Sequence, residues 1–204
     1  MYLSVGEKMI ENTTILPKLG SRSYIQGTTL FEELIRDIGH YDTLEFHIKK
    51  PIFSNEVAIY HVDSWDASSD SNALLFYEDL TNKHCKFVSE GDYKDESLRI
   101  AFDEAESLFG LEKFADKIEI HKSPYNFIKT IVVINKILLS KYLIEDFFYL
   151  FVYLKLDEHV FPEIVERVTL KENRRIGGYF YTDIFISEKK VGTMGFKMQK
   201  FPFG

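Results

Sequence analysis

The feature of this sequence that most restricts its fold is an order of elements that occurs once in each half. In each half, a segment with helical spacing of apolar residues is followed by several stretches with strand-like alternation. Residues 30–38 carry the first helical pattern and residues 125–143 suit a second helix, although 131–134 would also suit a strand. Identity between the halves is not visible, so the repeat is architectural only. The order predicts an α+β chain with a helix across an antiparallel sheet, twice over.

The strands are predicted from period-two alternation. In the clearest stretch, Leu44, Phe46 and Ile48 occupy one face and the intervening charged or polar residues occupy the other. Polar turns at 81–83 and 187–190 predict two hairpins. The predicted strands cover 43–50, 56–63, 73–80, 84–88, 117–121, 147–156, 164–172, 178–187 and 191–199.

An acidic stretch with helical periodicity separates the two halves. We interpret residues 92–116 as a connecting helix that ends at Gly110. Its acids form a solvated helix face rather than a site. The resulting division is a first half over 1–91 and a second half over 117–204.

Composition supports a sheet-rich protein and argues against nucleic acid as a partner. The 204 residues include 18 Phe and 12 Tyr, and aromatic residues favour half-buried pleated surfaces. The net charge is −7, whereas phosphate binding selects for an excess of Lys and Arg. The single cysteine, Cys85, excludes a disulfide framework within the chain. No leader-like start and no long uncharged apolar run are present, which predicts a soluble cytoplasmic protein without a membrane span.

The start of the first helix is a candidate carbonyl-binding site. Gly27 is followed by Thr28 and Thr29, which suit a helix cap, and by Glu32 or Glu33 at capping-box spacing. The free N–H groups and the positive dipole end of such a helix can stabilise an oxyanion. A glycine at 27 would also let a substrate approach the backbone closely.

Three short segments resemble acyl-thioester enzymes. Residues 45–57 resemble the strand–Pro–turn–strand that follows the hot-dog helix in acyl-thioester dehydratases, and 121–125 resemble their H-x-x-P-F segment. Residues 20–29 are similar to the opening of a double hot-dog acyltransferase/decarboxylase family from polyketide biosynthesis. The resemblance implies a double hot-dog fold, in which two helix-plus-antiparallel-sheet halves form one continuous sheet. It also implies an acyl thioester of coenzyme A or acyl carrier protein as substrate.

The candidate site residues follow from this chemistry and from the resemblance. His121 is the best general base, because imidazole titrates near neutral pH, and the resemblance pairs it with Glu32 or Glu33. Tyr24 or Tyr41 could act as a hydroxyl nucleophile, as the acyltransferase resemblance implies. Residues that could bind or polarise the acyl group complete the set, and they are Tyr24, Gln26, Gly27 through its backbone, Thr28, Tyr125 and Asn126.

Arg174 and Arg175 are candidates for the phosphate of a pantetheine carrier. With Lys171, Lys189 and Lys190 they form the basic patch on which an acidic carrier protein could dock. No metal and no cofactor are predicted, beyond a phosphopantetheine arm on the substrate. Dehydration, thioester hydrolysis and acyl transfer stay open, as does a homodimer. A non-catalytic hot-dog module that binds a ligand or assembles with partners is the alternative, and a lipocalin-type barrel is disfavoured by the two helices.

Overall fold

The protein folds into two helices and a long antiparallel sheet. The computed structural model describes residues 9–62, 70–102, 110–145, 147–160 and 167–200. The helices are α1 (Gly27–Ile35) and α2 (Phe127–Leu139), and a single 3-10 turn over Ser140–Tyr142 follows α2. The strands are β1 (Met9–Ile15), β2 (Lys18–Leu19), β3 (Thr43–Ile48), β4 (Glu56–Val62), β5 (Ala73–Glu78), β6 (Lys83–Glu90), β7 (Arg99–Ile100), β8 (Leu111–Lys113), β9 (Lys117–Ile120), β10 (Phe147–Leu156), β11 (Val168–Ile176), β12 (Tyr179–Ile186) and β13 (Lys189–Lys200).

Eleven of these strands form one continuous sheet across both halves. Its order is β1-β4-β6-β5-β3-β10-β13-β12-β11-β9-β8. The first five strands come from residues 9–90 and the last six from residues 111–200, so within this sheet the pairing of β3 with β10 joins the two groups. Leu44 lies opposite Leu156 in that pairing, and Phe46 lies opposite Leu154. The α+β class, the helix in each half and the continuous sheet were all predicted from the sequence, and the architecture confirms them.

The aromatic excess forms a core that runs through the join. A chain of ring contacts runs from α1 across β3, β10 and β13. The distances between neighbouring ring centroids are those of tilted and edge-to-face pairs. Centroid distances are 5.4 Å for Phe31–Phe46, 5.9 Å for Phe46–Phe151 and 5.6 Å for Phe151–Phe196. All four rings are buried. Packing therefore accounts for much of the Phe content.

The predicted connecting helix over 92–116 is not found in the described part of that segment. Arg99–Ile100 is strand β7, which pairs in parallel with Lys18–Leu19, and Leu111–Lys113 is strand β8. Residues 103–109 lie outside the described residues. Strand β7 is held in place partly by the buried Lys18, whose Nζ lies 2.8 Å from Glu96 Oε1. These long-range contacts outweigh the local helical periodicity.

A crowded glycine fixes the approach of β13 to β10. A Cβ at Gly192 would lie 2.1 Å from the backbone oxygen of Lys155, whereas a Cβ at the exposed Gly39 would meet nothing within 4 Å. We predict that Gly192→Ala lowers the free energy of unfolding by about 1–3 kcal/mol, because the strands must separate to accommodate the methyl group. Urea unfolding of the variant tests this. Gly39→Ala is the matched control, and equal losses in the two variants would contradict the account.

The buried Tyr41 hydroxyl connects the two halves outside the sheet. It donates to the Val160 carbonyl oxygen at 3.3 Å and accepts from the Val160 N–H at 3.1 Å. Burial raises the pKa of Tyr41 to about 12 from 10.0. Because the folded-state pKa is the higher one, this contribution to stability is complete below pH 10 and is lost as the pH rises through 12.

Tyr41→Phe should therefore lower the stability near neutral pH and weaken its pH dependence at high pH. Near neutral pH it should destabilise the fold by about 1–3 kcal/mol, because it leaves the Val160 N–H unpaired. Between pH 10 and 12 its stability should fall less steeply than that of the wild type, by up to about 1.4 kcal/mol per pH unit. Urea unfolding at several pH values measures both. Parallel pH profiles for the two proteins would contradict the assignment.

Candidate functional site

A largely apolar cavity opens beside the start of α1. Its volume is about 710 Å³, which is within the usual range for small-molecule sites. A narrow pocket of about 20 Å³, with room for about one water, reaches Gln26, Gly27 and Thr28 and shares several wall residues with the cavity. The cavity is lined by Ser21, Arg22, Ser23, Tyr24, Pro51, Phe53, Lys136, Leu143, Phe147, Phe148, Tyr149, Leu150 and Gln199.

The extended segment before α1 puts three of the wall residues on one side. Arg22, Tyr24 and Gln26 lie at alternate positions and all line the narrow pocket, as neighbours on one face of a strand would. Ile25 faces the core and pairs with Ile52, whose carbonyl oxygen accepts from its N–H at 2.8 Å. The side-chain oxygen of Gln26, a residue only 5% exposed, faces the Arg22 guanidinium with 3.1 Å to both Nε and Nη1. Arg22 was not predicted, although its two-residue spacing from Tyr24 was visible in the sequence.

No side chain caps the N-terminus of α1. Gln26 is the N-cap residue, but its side chain makes no cap hydrogen bond. The Thr28 hydroxyl lies in the narrow pocket and is buried without a hydrogen-bond partner among the described residues, as is that of Thr29. The predicted threonine cap with a capping box is therefore wrong. Free N–H groups, a positive dipole end and an unpartnered hydroxyl together form a receptor for an oxyanion or a carbonyl oxygen.

The N-terminus of α2 differs from that of α1, because it is closed. Its N-cap is Asn126, whose Oδ1 accepts from the Lys129 N–H at 3.1 Å. Helix α2 thus begins at Phe127, within the 125–143 range that the sequence pattern predicts. Asn126 Nδ2 also donates to Glu32 Oε1 at 2.5 Å, and Lys129 Nζ lies 3.0 Å from the same oxygen. Asn126 and Glu32 therefore join α2 to α1.

His121 lies at an edge of the sheet and not beside Glu32. Its Nε2 is 3.5 Å from Glu119 Oε1 and 3.7 Å from Glu112 Oε1, and its side chain is 53% exposed. Glu33, the alternative partner, is buried and pairs with Arg36. The His–acid pair expected from the dehydratase resemblance is consequently not formed among the described residues. That expectation depended on long-range geometry, which a five-residue motif does not determine.

Three further candidates have structural surroundings that explain their identity. A Cβ at Gly27 would lie 2.5 Å from Ile48 Cδ1 and 2.8 Å from Phe151 Cδ1, so the glycine is required by packing and not by close substrate approach. The Tyr41 hydroxyl is buried on Val160, so it cannot reach a substrate. Tyr125 packs against Phe102, with 5.2 Å between ring centroids.

The two candidate arginines lie on opposite faces of the sheet. The Arg174 guanidinium lies over the Tyr181 ring at 4.8 Å, on the face away from the helices. That of Arg175 lies over the buried Phe180 ring at 4.8 Å, on the helix side. Neighbours in a strand alternate between faces, so one phosphate cannot contact both. The three lysines of the proposed patch are paired with acids, Lys171 with Asp116, Lys189 with Glu158 and Lys190 with Asp183.

The electrostatics of the cavity favour an electron-rich ligand. Arg22 and Lys136 contribute positive charge to its wall, and no carboxylate or imidazole lines it among the described residues. Burial raises the pKa of Tyr149 to about 12, so its hydroxyl stays protonated, and it donates to the Leu139 carbonyl oxygen at 2.9 Å. The wall therefore supplies hydrogen-bond donors and cations, which suit a polarised carbonyl oxygen or a phosphate.

Comparison with known proteins identifies the fold. No family model and no curated protein matches the chain. Among solved structures, the tesB protein of Mycobacterium avium subs paratuberculosis is 8% identical, with a TM-score of 0.52, over 96% of each chain. The dehydratase domain of RzxB from Pseudomonas fluorescens is 10% identical, with a TM-score of 0.45, over 97% of this chain and 92% of its own. An acyl-CoA thioesterase II from Mycobacterium marinum is 8% identical, with a TM-score of 0.42, over 86% and 88%.

The chain has the double hot-dog fold. The likeness to the tesB protein over nearly the whole of both chains agrees with the continuous eleven-stranded sheet and the two helices. The fold expected from the short motifs is thereby confirmed. No helix in the described part of the chain is long and apolar enough to span a membrane.

Proposed function

We propose that this protein acts on an acyl thioester of coenzyme A or acyl carrier protein, with the thioester carbonyl held at the open start of α1. The observation that carries the proposal is the uncapped helix end, with the unpartnered Thr28 hydroxyl, in the pocket that continues the apolar cavity. The structural neighbours support it, because one is named a thioesterase and another a dehydratase domain. The resemblance to polyketide acyltransferases supports a biosynthetic role.

Each part of a thioester has a complementary surface in this arrangement. The carbonyl oxygen would accept from the N–H groups at the start of α1 and from the Thr28 hydroxyl. The acyl chain would lie against the aromatic wall formed by Phe53, Phe147 and Phe148. The positive side chains of Arg22 and Lys136 would attract the phosphate of the pantetheine arm.

Hydrolysis or acyl transfer fits the geometry better than dehydration. An acceptor hydroxyl or water would add to the carbonyl carbon, the C–S bond would break, and the sulfur would leave as a thiol with the acceptor's proton. Tyr24 is a wall residue whose hydroxyl could serve as the acceptor or relay that proton. Dehydration requires an acid–base pair, and His121 and Glu32 have separate partners.

A non-catalytic hot-dog module is the second candidate function. The lack of a carboxylate or imidazole among the described wall residues favours it, because thioester hydrolysis usually uses a general base. Such a module would bind the acyl thioester at the same place without turning it over.

We predict that Thr28→Val lowers thioester turnover by about 10–100-fold, because it removes one donor to the developing oxyanion. The assay is thiol release from a panel of acyl-CoA and acyl-carrier thioesters. Thr182→Val is the matched control, since that hydroxyl is also buried and has no hydrogen-bond partner among the described residues, but belongs to β12. Both variants should fold as stably as the wild type, because neither loses a hydrogen bond.

Three other outcomes separate the candidates. Binding without turnover by the wild-type protein would establish the non-catalytic module. Neither binding nor turnover would overturn the acyl-thioester proposal. Equal turnover in Thr28→Val and Thr182→Val would show that the carbonyl is not bound at the start of α1.

A further inference from the structure

A row of aromatic side chains crosses the face of the sheet that points away from the helices. On β10 the buried Leu154 faces the helices, so its neighbour Tyr153 faces outward. Tyr153 lies opposite His47 of β3 on one side and Gly195 of β13 on the other, and Gly195 lies opposite Tyr181 of β12. The rings are regularly spaced, with centroid distances of 5.1 Å for His47–Tyr153 and 6.2 Å for Tyr153–Tyr181. Arg174 of β11 ends the row, opposite Tyr181.

The row forms the floor of a cavity of about 590 Å³. The side chains of Tyr153 and Tyr181 close over Gly195, since a Cβ there would lie 3.0 Å from Tyr153 Cβ and 3.3 Å from Tyr181 Cε1. Lys155 and Thr193 contribute to the walls. The thioester cavity described above lies on the helix side, so the sheet separates the two sites.

The acids around this cavity lie close to partners of their own. Glu45 Oε1 lies 2.7 Å from His47 Nε2, and Asp183 Oδ1 lies 2.8 Å from Lys190 Nζ. The Arg174 guanidinium, by contrast, lies flat over Tyr181 and makes no hydrogen bond or ion pair within the described part of the chain. Its five N–H donors are therefore available for an anion, held in a fixed plane by the ring beneath. The hydroxyls of Tyr153 and Tyr181 likewise have no hydrogen-bond partner among the described residues.

We propose that this outer cavity is a second binding site, for a planar aromatic ligand that carries an anionic group. The flat body would stack on Tyr153, with the Tyr181 ring, inclined at 72° to that of Tyr153, at its edge, and the phosphate or carboxylate would bind the Arg174 guanidinium. Two kinds of molecule share this chemistry, a nucleotide and an aryl carboxylic acid. The site is independent of the proposed thioester activity.

Titration calorimetry with matched probes tests the proposal. AMP is compared with adenosine, and 2-naphthoate with its uncharged amide. We expect at least one anion to bind about tenfold more tightly than its uncharged partner, because a charge-assisted bidentate contact is added. Binding of AMP alone would identify a nucleotide site, and binding of naphthoate an aryl-acid site.

Arg174→Gln supplies the decisive variant and Arg175→Gln its control. Arg174→Gln should weaken binding of the anion at least about tenfold, whereas Arg175→Gln should change it by less than about twofold, because that side chain lies on the helix side of the same strand. Equal effects of the two substitutions, or equal binding of charged and uncharged probes, would overturn the proposal.

Discussion

The antiparallel pairing of β3 with β10 is the contact on which the rest of the structure depends. It converts two five- or six-stranded sheets into one sheet of eleven strands and brings Phe46 against Phe151. It also determines where α1 begins, because Gly27 lies against Ile48 of β3 and Phe151 of β10. The same packing contacts therefore support both the join between the halves and the candidate site. A side chain at position 27 would disturb both.

The two halves repeat an architecture but not a site. Each half presents a helix N-terminus, which is the kind of place where backbone N–H groups need a partner. Asn126 provides that partner in α2, whereas Gln26 does not in α1, since its side-chain oxygen faces Arg22. A pseudo-symmetric fold thus leaves one open end, and that end adjoins the cavity. One residue in each half, Gln26 or Asn126, makes this difference, and the proposed chemistry is therefore limited to the first half.

Local patterns in the sequence were sufficient for most of the fold. Alternation predicted β10 with its observed bounds and β3 to within two residues, because burial on one face imposes period two. The predicted threonine cap of α1 was wrong, since the residue at the N-cap depends on tertiary contacts that the local sequence does not show. In the described part of 92–116, strands β7 and β8 replace the predicted connecting helix for a similar reason, because β7 is held by a strand partner distant in sequence and β8 pairs with β9.

Only those residues of the candidate site that lie close together in the sequence were predictable. Tyr24, Gln26 and Thr28 lie together because a short extended segment leads directly into a helix, and that is visible in the sequence. Lys136 and Tyr149 reach the same walls from α2 and β10, and no local signal identified them. The pairing of His121 with Glu32 depended on an inter-half distance, which the motif did not contain.

Amide chemical shifts provide the most direct test of the open helix start. The ligand would be an acyl-CoA analogue in which a methylene replaces the thioester sulfur, so that the carbonyl remains but cannot be hydrolysed. We expect saturable downfield shifts of the amide protons of Gly27, Thr28 and Thr29, because they would donate to the carbonyl oxygen, and little change at 127–129 in α2. Saturable binding that leaves residues 27–29 unshifted, or that shifts the start of α2 instead, would contradict the account.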